Sequence, residues 1–355
     1  MPKYDVAIVG GGPAGSSCAW RLKEAGMEVV VLDKAPFPRD KVCAGWITPQ
    51  VIESLELDVE DYRKGRVFQP FLGFQTGLMG EEPVAVDYPK PVSYGIRRFE
   101  FDHYLLERSG ADLRLGEPLR TLEREKGMWM LNGDIRAQVL VGAGGHFCPV
   151  ARHLGARVGS GERAVKAKEV EFPLPDPTSP EPPALFFCRD LKGYGWWVRK
   201  GDYVNIGLGR EDNRGLSGHL EAFCRELRER GLISGDLPRF KGHAYLLYPH
   251  TERPWVADGV LLIGDAAGLA YPQSGEGIRP AVESGCLAAD AILAGDLPSY
   301  RDRLIARLGS PRPGLMEHLP ASLKRLAAER LMASSWFARH VLLDRWFLHR
   351  HQPAL

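Results

Sequence analysis

The stretch GGGPAG, residues 10–15, sets Gly10, Gly12 and Gly15 in the spacing GxGxxG, with Pro13 and Ala14 between the last two. That spacing suits a dinucleotide. Gly10 permits a tight turn, Gly12 lets the backbone approach a pyrophosphate, and Gly15 lets a helix pack close to a strand. The helix N-terminus then favours the phosphate charge. Asp33, followed by Lys34, ends the next apolar run, where a carboxylate can accept hydrogen bonds from ribose hydroxyls. A second cluster is VLLIGDAAGLAYPQSGEGIRPAVESGCLAADAI, residues 260–292. It holds Asp265 behind an apolar run and five glycines, among them Gly264, Gly275 and Gly277, the last followed by Ile278. A glycine inside a helix or strand costs about 0.5–1 kcal/mol relative to alanine. Their concentration points to a ligand lying close to the main chain.

These residues need elements to hold them. YDVAIVG (4–10) is a short β-branched run of the kind buried in a parallel sheet. AGSSCAWRLKEAG reads as a helix ended by Gly26, and EVVVLD as the next strand, which completes a βαβ unit. RRFEFDHYLLERSGA reads as another helix and AQVLVGAGG as another buried strand. The middle differs. FPLPDPTSPEPPALFF must be extended because of its prolines, and GWWVRKGDYVNIGLG alternates apolar and polar residues around a KGD turn, a hairpin signal. A mostly antiparallel sheet inserted between pieces of the first domain is expected.

Length and composition agree. The 355 residues suggest two domains, and 44% apolar with 26% charged residues is ordinary for a globular chain. A net charge of +1 steers the protein toward no nucleic acid. No apolar run approaches the length of a membrane span, and the N-terminus enters a strand at once, leaving no room for a signal peptide. Six cysteines without a CxxC pair argue for reduced thiols in a cytoplasmic protein, with no disulfide framework and no metal site.

Five motifs, in order and spacing over residues 1–300, resemble the FAD-dependent para-hydroxybenzoate hydroxylase superfamily and, within it, the geranylgeranyl reductase family. They end with GDAAG and PQSGEGI. PFPRDKVCAGWITP (36–49) resembles the segment that passes over the flavin and brings in Arg39, Cys43, Ala44 and Gly45. IRRFEFD resembles VxRxxFD, which makes Arg98 the FAD-contacting arginine. GYGWWVRKGDYVNIGLG resembles the family's substrate-cavity motif; Tyr194 and Trp196 match it, whereas Val198 and Arg199 replace its FP.

The resemblance implies an α/β fold: a Rossmann-type, glutathione-reductase-like FAD-binding domain with an inserted β-rich substrate domain and a C-terminal helical tail. The boundaries expected are 1–65, 95–155 and 250–300 for the FAD-binding domain, 66–94 and 156–249 for the substrate domain, and 301–355 for the tail. It places Asp265 on the ribityl chain, the backbone of 272–278 beside the ring, and Cys43, Tyr194 and Trp196 at the catalytic side. The implied activity is reduction of carbon–carbon double bonds in an isoprenoid or lipid-like substrate. A flavin monooxygenase and an electron-transfer flavoprotein are the alternatives. GAGGHFCPVAR (142–152) departs from the family by putting Gly144 where relatives carry aspartate, with His146 and Cys148 nearby. That departure argues against direct reduction by NADPH and for a redox partner such as ferredoxin. The tail from Leu319 carries a net charge of +4 and many aromatics. It reads either as a helix covering the FAD domain or as a basic amphipathic helix on the inner face of a membrane.

Overall fold

The structure, a computed structural model, describes residues 2–157, 164–174, 181–212, 215–249, 252–309 and 330–355. Among them, the apolar runs Val260–Leu262, Ile135–Gly142, Lys3–Val9 and Val29–Asp33 lie side by side and parallel, with Asp112–Leu115 beyond Val29–Asp33. Both faces are covered, and Val6, Ala7 and Ile8 are wholly buried, which explains why these strands read as continuous hydrophobic runs. Val9 stands opposite Leu32 and Gly142, and Gly142 opposite Leu262. The strand ends are therefore level. The turns that leave them open on one edge of the sheet, the place where open α/β sheets bind ligands.

Helices Pro13–Glu24 and Ile278–Leu293 pack together below that edge, and small residues set how close they come. A Cβ on Gly285 would run into Ala14 O, one on Gly264 would stand 2.9 Å from Ala14 Cβ, and one on Gly15 would strike Gly10 O. Two of the five glycines in the 260–292 stretch thus serve helix packing.

The inserted strands form a second sheet of seven, in the order Lys241–Leu246, Ala164–Pro173, Tyr203–Arg210, Gly193–Lys200, Ala184–Phe187, Gly73–Leu78 and Val84–Asp87. The expected hairpin is present, with Gly201 at φ +56° in its turn. The proline-rich stretch continues strand Ala164–Pro173 and resumes at Ala184–Phe187; residues 175–180 lie outside the described residues. Alternation sorts the sheet into two faces. Trp197, Ile206 and Phe186 pack under helix Leu216–Glu229, while Ala167, Trp196 and Val198 face the other way. A three-stranded sheet of Trp46–Ile47, Ser93–Gly95 and Gln69–Phe71 joins the two large ones.

The tail packs across both domains. Lys324, Arg325 and Glu329 lie outside the described residues, but Ser335–Phe337 and Ala338–Phe347 are helical. Leu342, Leu343, Phe347 and Leu348 are buried against Trp46, Phe74 and Trp196, so the apolar stripe covers the second sheet. Of its charges, Arg350 pairs with Asp344 at 3.1 Å, and Arg339 and Arg350 stack on Tyr88. The last residues then reach helix Ile278–Leu293, where Arg279 donates to the carbonyls of His349, Gln352 and Pro353. Among the described residues, no helix is long and apolar enough to cross a membrane.

Candidate active site

The edge of the first sheet and one face of the second enclose a cavity of about 750 Å³. Its walls contain Gly10, Gly12, Pro13, Ala14, Asp33, Lys34, Arg39, Cys43, Ala44, Gly45, Arg98 and Gly144 from the first half of the chain. Tyr194, Trp196, Asp265, Gly275, Gly277 and Ile278 come from the second half. Gly15 and Gly264 stand outside the walls, in the packing beneath.

At the strand ends Asp33 accepts from Gly11 N at 2.8 Å and from Ala35 N at 2.9 Å. Arg98, near the middle, grips the fully buried Asp102 through two bonds of 2.5 and 2.7 Å, and Arg39 approaches the same carboxylate at 3.3 Å. Asp265 lies beside a cationic group that motif reading missed. Lys41 Nζ donates to His243 Nε2 at 2.5 Å, and that nitrogen is 3.6 Å from Asp265 Oδ2. Burial alone would raise Asp265, but His243, Lys41 and Arg98 outweigh it and hold the carboxyl at about 2. Burial brings Lys41 down to about 8 and also lowers His243, with Asp265 opposing both.

The other wall follows from the alternation of the second sheet. Ala167, Tyr194, Trp196, His243 and Tyr245 share its cavity face. Trp196 Nε1 donates to Asn205 Oδ1 at 2.7 Å, and Asn205 Nδ2 donates to Cys43 O at 3.2 Å, so the ring and the Cys43 loop are fixed together. The Tyr194 hydroxyl donates to Ser274 O. Glu169 accepts from Cys43 N at 2.5 Å; burial raises its carboxyl to about 8 although Lys200 pulls it down. Lys200 is itself wholly buried and donates to Ala44 O and Ile96 O, each at 3.0 Å, while pairing with Glu171 at 2.6 Å. Gly45 makes room for it. At φ +72° a Cβ there would collide with Lys200 Nζ.

The sequence held a signal for some of these residues. Glu169, Asn205, His243 and Tyr245 fall on the cavity face by strand alternation once Trp196 is placed on it. Lys200 has the same parity as Trp196, but a lysine in KGD reads as a solvated turn residue. Glu276 was visible only as part of PQSGEGI.

The arrangement fits FAD. Glycine turns approach the cavity where side chains would crowd it: a Cβ on Gly12 would stand 3.3 Å from Arg39 Nη2, and one on Gly277 3.3 Å from Asp265 Oδ1. A family model described as an FAD dependent oxidoreductase matches residues 5–73, from the first strand through the Cys43 loop. The geranylgeranyl diphosphate reductase of Rhodobacter capsulatus is 30% identical over 314 residues, covering 82% of this chain and 75% of that protein. The chain belongs to the geranylgeranyl reductase family of FAD-dependent oxidoreductases. As a family member it is an enzyme whose cofactor is FAD. The menaquinone reductase of Mycobacterium tuberculosis is likewise 30% identical, over 330 residues, covering 85% of this chain and 79% of that one. A geranylgeranyl bacteriochlorophyll reductase-like protein from Thermoplasma acidophilum shares the fold, with a TM-score of 0.73 at 21% identity over 94% and 88% of the two chains.

Proposed function

We propose that this family member saturates carbon–carbon double bonds of an isoprenoid or other lipid-like substrate. The observation that carries the reading is the asymmetry of the cavity. One wall is backbone turns with Asp33 and Asp265, and the facing wall is aromatic and apolar, built on Tyr194, Trp196 and Ala167. On this reading Gly10, Gly12, Pro13 and Ala14 hold the pyrophosphate and Asp33 with Lys34 the ribose end. Arg39 and Arg98 then flank the cofactor, Asp265 takes the ribityl chain, and Cys43–Gly45, Gly144 and Gly275–Ile278 lie along it. Residues 1–65, 95–155 and 250–300 would form the flavin domain, and 66–94 with 156–249 the substrate domain. When bound and reduced, FAD supplies the hydride. The chain's own part is to orient the alkene against Tyr194 and Trp196, each locked by a hydrogen bond, and to exclude water. Relatives named for geranylgeranyl diphosphate and menaquinone, two molecules with isoprenoid chains, support the substrate class.

Anaerobic photoreduction followed by mixing with polyprenyl lipids tests this. Flavin reoxidation without oxygen, coupled to loss of a double bond in the lipid, is the expected result. Reoxidation only by oxygen, with a hydroxylated product, would make the protein a monooxygenase instead.

The electron donor is a separate prediction. Gly144 offers no carboxylate beside the cavity, and a Cβ there would already stand 3.2 Å from Cys148 Cα. NADPH and NADH are expected to bleach the flavin slowly in stopped flow, and reduced ferredoxin or dithionite faster. Bleaching by NADPH at tens per second, a common kcat range, would overturn the expectation.

A further inference from the structure

Hydride addition to an isolated alkene leaves the second carbon in need of a proton, so a reductase of this kind needs an acid facing the substrate. Most candidates in the cavity are committed. Asp265 is ionised, Lys41 is bound to His243, and the Tyr194 hydroxyl donates to Ser274 O. Glu276 is different. It lines the cavity, its Oε1 accepts from Arg279 N at 3.3 Å, and its buried Oε2 has no hydrogen-bond partner among the described residues. Its backbone is held by Ser274 Oγ at 3.2 Å and by Tyr271 N at 2.9 Å, two residues from the carbonyl that fixes Tyr194. The carboxyl is therefore fixed next to the aromatic substrate wall.

We propose that Glu276 is the catalytic acid that protonates the alkene carbon that does not receive hydride. This rests on the reductase reading above. The reduced flavin, in its anionic form, would give up one proton and two electrons as hydride, which forms the first C–H bond and leaves oxidised FAD. The π bond breaks, and its electrons take the proton from the Glu276 O–H to form the second. Glu276 is left as a carboxylate and regains its proton from water.

The surroundings explain why the carboxyl keeps its proton. Arg279 is the nearby cation, but its guanidinium is used up. It binds Glu283 at 2.7 Å and the tail carbonyls of His349, Gln352 and Pro353 at 2.9–3.2 Å. Glu283, also held by Arg307, adds negative charge on the same side. Tyr194 and Tyr271 are held neutral by burial, and burial with Arg279 pushes His349, stacked on Tyr271, down to about 3. Burial raises Glu276 to about 7 against the pull of Arg279. The C-terminal segment thus acts on the site at a distance. By occupying Arg279 it leaves Glu276 without an ion pair, and a carboxyl poised near working pH is what proton transfer requires.

The test uses the FAD-loaded, dithionite-reduced protein mixed anaerobically with geranylgeranyl diphosphate. Glu276→Gln is expected to release FAD on acid treatment in the same amount as wild type. Its alkene-driven reoxidation should fall about 10²- to 10⁴-fold. The wild-type rate should drop about tenfold per pH unit above about 7, where the acid form is lost, and Glu276→Gln should show no such break. Infrared difference spectra of the flavin-free protein should show a protonated carboxyl at pH 6 that is missing in Glu276→Gln. A wild-type rate in Glu276→Gln would overturn the inference and leave the reductase reading intact. A wild type that no polyprenyl substrate reoxidises would overturn both. If Glu276→Gln loses its flavin, the wild-type pH profile decides, and a flat profile above 7 overturns the assignment.

Discussion

Lys200→Met is expected to cost the protein about 3–5 kcal/mol, the range for removing one partner of a buried ion pair. Methionine nearly preserves the volume, so the loss is polar. Ala44 O and Ile96 O would each lose a donor at 3.0 Å, and Glu171 would keep Arg97 at 2.8 Å but lose Lys200 at 2.6 Å. Each orphaned buried group costs about 1–3 kcal/mol, against a total stability of about 5–15 kcal/mol. Urea unfolding should show a lower midpoint with an unchanged slope, the sign of altered stability rather than altered compactness. Lys200→Met with Glu171→Gln should be less unstable than the sum of the single variants, since both act on one contact. A midpoint shift worth under about 1 kcal/mol would show that this buried ammonium is not the clamp of the Cys43 loop.

The first sheet was legible because its strands are buried on both faces. Runs such as VAIV and VVVL admit few other readings, and the glycine turns follow directly at their ends. The hairpin at 193–210 was legible for a related reason: period-2 alternation around a turn carries its own register. What could not be read is how charge crosses between the sheets. Glu169 and Glu171 lie in a strand whose other face is apolar, yet they point into the interior because the Cys43 loop presents Cys43 N, and Lys200 beneath it, for them to bind. The Cys43–Glu169 contact spans 126 residues of sequence, and no local pattern records it. The tail misled for the opposite reason. Its basic aromatic pattern is real, but the same stripe suits a membrane, a flavin domain or a second sheet. Only the packing of Phe347 against Trp46 and Tyr194 shows that it bridges the two domains.

Asp265→Ala is expected to weaken FAD binding about 5- to 150-fold, for reasons that geometry and charge supply together. The carboxylate lines the cavity beside Gly277 and stays ionised, because His243, Lys41 and Arg98 overcome the burial that would otherwise raise it. Its folded value of about 2 is below the ordinary 3.8. The stability it adds is therefore present above 3.8 and lost as pH falls toward 2, so between pH 5 and 9 its charge is constant and FAD affinity should not vary through this group. If Asp265 holds the cofactor as proposed, removing the carboxylate leaves a buried hydrogen-bonding contact unmade, at about 1–3 kcal/mol, and 1.4 kcal/mol is one decade of affinity. It also leaves Lys41 without the carboxylate beside it, while Arg98 keeps Asp102. Asp265→Asn, which keeps an acceptor but not the charge, should fall between wild type and Asp265→Ala. Fluorescence titration of the flavin-free protein with FAD measures all three. Equal affinities in folded variants would show that the cofactor does not rest on Asp265.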